Sequence, residues 1–227
     1  MMETQAGMTI DAAVERGLTS QGASNVPIYR AAAALLRARR ARGILVDVGC
    51  GIGRFLEFTS DLTADYIGVD VVRHPGLSPD AAFHRADLDR DAIPIPTASA
   101  DIVAALETIE HLESPRAFCR ELTRILKPGG WLVVSTPNQL SLLSLLCLIV
   151  KGRFVAFQDD YYPIHRTALL PIDLVRIAGD CGLSEIALGF SGAGRIPLTA
   201  SHYPEILSQM FPQALSDNVV LVARKDA

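Results

Sequence analysis

The chain has 227 residues, 49% of them hydrophobic and 20% charged, which is enough for one α/β core that removes about 70% of its unfolded surface from water. Its formal net charge of −4 offers no global positive field to a phosphate backbone, so nucleic acid is not an expected partner. Cys50, Cys119, Cys147 and Cys181 stand far apart, with no C-x-x-C pair and no adjoining histidine to complete a zinc set. Reduced thiols and no metal site are therefore expected.

Met1 to Ile10 has neither a basic start nor a continuous apolar stretch, which predicts no signal peptide or anchor and a cytoplasmic protein. Residues 1–26 are small and polar without a firm period, and their structure is left open as a flexible N-terminal segment. From Ile28 to Arg42 the Ala and Leu content predicts a helix, with Gly43 as its C-terminal cap. The basic run Arg37, Arg39, Arg40 and Arg42 reads as a solvated helix end rather than a phosphate patch.

Ile44-Leu45-Val46-Asp47-Val48 is a short apolar run bounded by glycines, the pattern of a strand buried on both faces of a parallel sheet. Similar runs follow at Tyr66–Asp70, Phe83–Ala86, Ile102–Leu106 and Trp131–Ser135. Ser114 caps an expected helix with Pro115 at its first position and Phe118, Leu122, Ile125 and Leu126 along one stripe, closed by Lys127-Pro128-Gly129-Gly130. A second helix is expected from Pro171 to Asp180, before strands at Ile186–Phe190 and Val219–Arg224. This alternation predicts one domain over residues 1–227: a doubly wound three-layer sandwich around a mostly parallel sheet of about seven strands.

Asp47-Val48-Gly49-Cys50-Gly51-Ile52-Gly53 leaves the first strand and enters a helical segment, so its glycines allow a tight turn and close approach to a ligand. A dinucleotide fingerprint needs G-x-G-x-x-G, but Arg54 stands where the third glycine belongs, which disfavours a nicotinamide oxidoreductase. Asp70 ends the next strand about 20 residues on, where such folds bind ribose hydroxyls. Asp87 follows the third strand. Three carboxylates on the sheet's carboxyl edge oppose a pyrophosphate and suit a sulfonium cation that carries an ammonium group.

With these motifs, and with Leu106-Glu107-Thr108-Ile109-Glu110-His111-Leu112 and Leu126-Lys127-Pro128-Gly129-Gly130, the chain resembles the class I S-adenosylmethionine-dependent methyltransferases from about Ile44 to Asn138. The resemblance implies S-adenosylmethionine as cofactor and S-adenosylhomocysteine as product. It places Asp47, Gly49, Cys50, Gly51 and Gly53 against the methionine part, Asp70 and Val71 at the ribose and adenine, and Asp87 and Leu88 at the adenine ring. Glu107 joins this cofactor set. The implied activity is methyl transfer to a small-molecule or lipid-linked acceptor at a hydroxyl oxygen, with N-methylation or a non-catalytic cofactor-binding module or partner subunit as alternatives.

A hydroxyl acceptor must lose its proton, and a histidine near neutrality suits that task. His111, just past the fourth strand, is the first candidate base or else a packed loop residue. His165, in Tyr161-Tyr162-Pro163-Ile164-His165, is the second. Tyr161 and Tyr162 are read as an aromatic pocket wall or ordinary packing, and Asn138 as an acceptor contact or the cap of a turn. The run from Leu140 to Val150, too short for a bilayer span of about 20 residues, reads as a core helix, an apolar lid, or a surface helix in which residues 140–153 give peripheral membrane contact. Residues 139–170 as a whole are read as an insertion capping the acceptor site. Oligomeric state is left open.

Overall fold

In the computed structural model, described for residue 14 and residues 22–226, the apolar runs become a seven-stranded sheet. Its strands are β1 (Gly43–Val48), β2 (Thr63–Asp70), β3 (Ala82–Arg85), β4 (Ala100–Leu106), β5 (Leu126–Pro137), β6 (Leu183–Phe190) and β7 (Asn218–Lys225), in the order β3-β2-β1-β4-β5-β7-β6. β1, β2, β3, β4 and β5 pair in parallel, whereas β7 runs antiparallel between β5 and β6. The chain thus winds outward from β1 in one direction and from β4 in the other. That reversal opens a crevice beyond the carboxyl ends of β1 and β4, where ligands bind in such sheets. Most of the N-terminal segment, including Met1 to Ile10, lies outside the described residues.

Alternation along the strands divides the core in two. Leu45, Ile102, Ala104, Val133, Val220 and Val222 pack on one face with Ile28, Ala32, Ala33 and Leu36 of α1 (Val26–Ala38) and Phe55 of α2 (Phe55–Thr59). Val46, Val48, Val103, Leu132, Val134 and Leu221 pack on the other, with Phe118, Leu122 and Ile125 of α3 (Pro115–Ile125). Ser114 caps α3 as expected, accepting the Ala117 N–H. Next in the chain come α4 (Leu142–Lys151), α5 (Pro171–Asp180) and α6 (Glu205–Met210). Leu174 and Ile177 of α5 complete the layer begun by α3.

The first helix differs from expectation at both ends. It begins at Val26, with Pro27 in its first turn, and stops at Ala38 rather than Arg42. Arg40, at φ +52°, takes the left-handed position usually given to glycine. The Arg40 N–H donates to the Arg37 carbonyl (2.9 Å) and the Ala41 N–H to the Leu36 carbonyl (3.1 Å), which satisfies the helix end without Gly43. Gly43 instead opens β1 at φ +129°, where a Cβ would lie 2.4 Å from Asp101 Oδ2. Asp101 accepts the Ile44 N–H at 2.9 Å and pairs with Lys127 at 2.8 Å. The basic run is divided too: Arg37 pairs with Asp61, and Arg39 lies over the Trp131 ring.

The apolar helix α4 is not a core helix. Ser144 is its buried residue, while Ile149 and Val150 are 80% and 79% exposed. Among the described residues no helix is long and apolar enough to cross a membrane.

Candidate active site

The glycine turn is built by close backbone packing. Gly49 and Cys50 both donate N–H groups to the Val69 carbonyl, at 2.7 and 3.2 Å, which carries the loop over the end of β2. At Gly51 (φ +51°) a Cβ would meet the Gly22 carbonyl oxygen at 2.0 Å, and the next amide, Ile52 N–H, donates to that same oxygen at 2.9 Å. Gly22 therefore lies directly on the loop. The helix that follows has five residues, so the loop's own amides, more than a helix dipole, shape this end of the crevice.

Asp70 organises the turn. Its Oδ2 accepts the Gly51 N–H at 2.9 Å and its Oδ1 the Val71 N–H at 2.7 Å. Burial raises its pKa, and these two donors offset part of the rise. Asp47 is 4% exposed and accepts the Tyr66 hydroxyl at 3.0 Å. Burial, with a smaller contribution from the Asp70 charge, pushes its carboxyl up to about 7. Cys50 is a buried filler whose thiol pKa is raised, first by burial and then by Asp47 and Asp70; it is no nucleophile.

These raised carboxyl groups set a pH dependence. Each binds its proton more tightly folded than unfolded, so the folded chain holds extra protons between the ordinary Asp value near 4 and the folded value, about 7 for Asp47. Stability of ligand-free protein then falls as pH rises through that window. Asp47→Asn is expected to make the fall shallower, measured as urea-unfolding free energy from pH 4 to 7. Equal slopes in the two proteins would contradict the assignment.

A cleft of about 440 Å³ opens over these groups, within the usual range for small-molecule sites. Asp47, Gly49, Cys50, Gly51, Asp70, Val71, Asp87, Leu88, Glu107, His111, Tyr161 and His165 all line it. Among the described residues, five that line it carry carboxyl groups, Asp89 being the fifth, and none is Lys or Arg. Asp87 also serves its own turn, accepting the Asp89 N–H at 3.1 Å.

At the other end, Glu107 sits at φ +52° as the chain leaves β4. Its carboxylate accepts Ser135 Oγ and Asn218 Nδ2, each at 2.7 Å, and burial with repulsion from Glu110 raises its pKa well above normal. His111 and His165 lie edge to face with ring centroids 4.9 Å apart, and Tyr161 stacks on His165. His111 Nδ1 meets the Ile164 carbonyl at 2.9 Å and His165 Nδ1 the Ala156 carbonyl at 2.6 Å. A carbonyl only accepts, so each Nδ1 carries the hydrogen and each Nε2 the lone pair. Burial first, then His111, lowers the His165 pKa. Beside them, Glu110 is fully buried and its carboxyl is pushed up to about 8 by burial.

Three expected site residues lie elsewhere. Gly53 does not line the cleft, because Leu77 and Tyr66 fill the space beside it. Tyr162 is 75% exposed and outside it. Asn138 is buried, and its side chain serves the backbone: Nδ2 donates to the Gln213 and Ser216 carbonyls and Oδ1 accepts the Leu140 N–H. It borders a neighbouring cleft of about 590 Å³, which shares Asn25 and Tyr161 with the first.

Sequence reasoning missed Ala23, Ser24, Asn25, Ile28 and Tyr29 on the cleft wall. The available signal was Asn25 before Pro27, a helix-start pattern that fixes where this segment turns in. It also missed Glu110, whose Glu-His neighbours were read for the histidine alone. The expectation of no metal rested on cysteine spacing, yet Glu110, His111 and His165 bring ligand atoms within 4.8 Å of one another.

A family model described as a methyltransferase domain matches residues 24–169. The chain is 30% identical over 178 residues to a Mycolicibacterium smegmatis protein named "Probable S-adenosylmethionine-dependent methyltransferase", covering 76% of this chain and 65% of the relative. It is 29% identical over 154 residues to the ubiquinone biosynthesis O-methyltransferase of Idiomarina loihiensis, covering 63% of each. The chain thus spans just under two thirds of the length of these curated relatives. The crystal structure of a SAM-dependent methyltransferase from Archaeoglobus fulgidus superposes with a TM-score of 0.61 at 19% identity, over 85% of this chain and 92% of that one. At that identity the likeness concerns the fold.

Proposed function

The chain belongs to the methyltransferase-domain family, and on that premise we propose that it transfers a methyl group from S-adenosylmethionine to a hydroxyl oxygen of a small-molecule or lipid-linked acceptor. The observation that carries this reading is the cleft itself: among the described residues its lining has five carboxyl groups and no Lys or Arg, with a glycine cradle in which a Cβ at Gly51 has no room. Such a site favours a cation, whose charge would draw the protons from the raised Asp47 and Glu107 carboxyls, and it disfavours phosphates. When bound, the cofactor supplies a methyl group already activated on positive sulfur.

The protein's own work is alignment, exclusion of water and handling of one proton. Positioning alone can lower a barrier by about 7 to 11 kcal/mol. Asp70 retains carboxylate lone pairs beyond the two that hold the loop and offers them to ribose hydroxyls. Val71 and Leu88 form the apolar bed for adenine, with Asp87 beside it. Asp47 and Glu107 take the amino-acid end. His111 and His165 meet the acceptor hydroxyl and ease loss of its proton, while Tyr161 and the second cleft hold the acceptor's body.

The test is an acceptor screen with radiolabelled methyl donor against quinone precursors, sugars and lipid extracts, followed by location of the label. A methyl ether supports the reading. Label on nitrogen replaces oxygen with nitrogen as the acceptor atom, and cofactor binding without transfer to any class favours a non-catalytic module.

The exposed apolar side of α4 favours lipid contact within the 139–170 insertion. Ile206, Met210 and Phe211 are exposed as well, on the segment that meets the start of α4 where the Leu142 N–H donates to the Ala214 carbonyl. Burying Ile149 and Val150 in lipid is worth about 1.5–3 kcal/mol each. The double change Ile149→Glu and Val150→Glu is therefore expected to weaken co-sedimentation with phospholipid vesicles at least about 10-fold, leaving cofactor affinity unchanged. Equal sedimentation of both proteins would remove the lipid reading.

A further inference from the structure

The fold brings together two cysteines that stand far apart in the sequence and that the methyl-transfer site does not use. Cys119 lies on the buried side of α3, and Cys181 caps the C-terminal end of α5. Both helices cover the same face of the sheet, where Cys181 packs against the core cluster that contains Cys119. One turn earlier on α3, Arg116 pairs with Asp180, the residue before Cys181. The ion pair and the thiols thus form adjacent links between the same two helices. Neither cysteine lines either cleft.

At the second link the thiols meet, the Cys119 S–H donating to the Cys181 sulfur. Cys119 is 4% exposed, whereas Cys181 is only half-buried at its helix end. The bond from Cys119 is the first cause that lowers the Cys181 pKa; burial and Asp180 oppose it, while Arg120 and Arg116 assist. The same bond, with burial, raises the Cys119 pKa. One sulfur is therefore the readier thiolate and open to an oxidant, and the other is a protected thiol beside it. This is the arrangement of an attacked cysteine and its resolving partner.

We propose that Cys119 and Cys181 form a reversible redox modification site, which a peroxide oxidises to a disulfide joining α3 to α5. The Cys181 thiolate attacks one peroxide oxygen, the O–O bond breaks, and the hydroxide that leaves is protonated to water. Sulfur is oxidised by two electrons to the sulfenic acid as the peroxide is reduced. Cys119 then loses its proton, its sulfur bonds to that of Cys181, and the S–O bond breaks to release a second water. A dithiol reductant restores both thiols by exchange. The bridge closes a loop of roughly 60 residues, long enough for a substantial cross-link effect on stability. The other two cysteines lack such a partner chemistry: Cys50 is a filler of the glycine turn, and the Cys147 sulfur on α4 accepts Gln158 Nε2 at 3.3 Å.

The test exposes the reduced full chain to hydrogen peroxide, alkylates the remaining thiols under denaturing conditions and maps all four cysteines by mass spectrometry without reduction. Expected are a linked pair of peptides carrying Cys119 and Cys181, alkylated Cys50 and Cys147, and a Tm raised by at least about 5 °C. Dithiothreitol should reverse both changes. In Cys119→Ser the bridge is lost and Cys181 is left as a sulfenic acid that dimedone traps, whereas Cys147→Ser should keep both bridge and shift. Peroxide-treated wild type in which Cys119 and Cys181 both take the alkylating agent, or in which Cys181 passes to the sulfinic acid without a bridge, overturns the proposal. So does a disulfide that pairs either of them with Cys50 or Cys147. These outcomes are read on the wild-type chain, so they decide the matter even where a variant fails to fold.

Discussion

Gly51→Ala should reduce S-adenosylhomocysteine binding by at least about 100-fold, the larger of the two effects expected at the glycine turn. The new methyl group would sit 2.0 Å from the Gly22 carbonyl oxygen and 2.6 Å from Gly22 Cα, both backbone atoms that no rotamer change can move. Gly51 also holds φ +51°, which costs an L-residue roughly 1–2 kcal/mol. Relief of the clash has to push residues 22–25 off the cleft and break the Ile52 N–H bond to Gly22, removing one wall of the site. Gly49→Ala is the control. Its Cβ would meet the Thr108 side chain, Oγ1 at 2.3 Å, so a rotation absorbs part of the contact and a smaller loss is expected. Calorimetry on both variants decides the matter. Full affinity in Gly51→Ala would show that residues 22–25 are not part of the cradle.

Asp70→Ala should cost at least about 100-fold in the same affinity. The change strips the acceptor from two backbone donors, Gly51 N–H and Val71 N–H, and each buried group left unsatisfied costs about 1–3 kcal/mol. It also removes the charged acceptor proposed for the ribose, where such bonds contribute about 1.5–3 kcal/mol. Asp70→Asn should fall between wild type and Asp70→Ala: its amide keeps one oxygen acceptor but turns an N–H₂ toward the other backbone donor. Asp87→Ala should lose less, because much of that carboxylate serves the Asp89 N–H and lies 3.8 Å from Arg90. Equal losses at Asp70 and Asp87 would contradict this division of labour.

The sheet was legible because its strands carry their own burial on both faces. Ile44 to Val48 needs no tertiary context to announce a central strand, and Ser114-Pro115 announces α3 in the same local way. Boundaries set by long-range contact were not legible. Gly43 looked like a helix cap, but Asp101, distant in sequence, fills the space beside it, and Arg40 ends the helix from a position normally reserved for glycine. The antiparallel course of β7 is another product of tertiary packing.

The site divides along the same line. Asp47, Asp70 and Asp87 stand in or just after strands at the sheet's carboxyl edge, so their place on the cleft follows from topology alone. Asn138 also stands at a strand end, but the carbonyls of Gln213 and Ser216 claim its amide, and no local pattern foretells partners so far along the chain. Tyr161 and Tyr162 are adjacent, yet one lines the cleft and the other faces solvent. Glu110 was hidden for a related reason: its significance is full burial in three dimensions, and sequence spacing carries no record of that.

The most direct measurement is a calorimetric titration of the folded chain with S-adenosylhomocysteine and, separately, with NADH. The account predicts saturable one-to-one binding of the adenosyl thioether and no response to the dinucleotide, whose pyrophosphate meets a cleft lined, among the described residues, by carboxyl groups and by no Lys or Arg. Uptake of NADH with none of S-adenosylhomocysteine would contradict it.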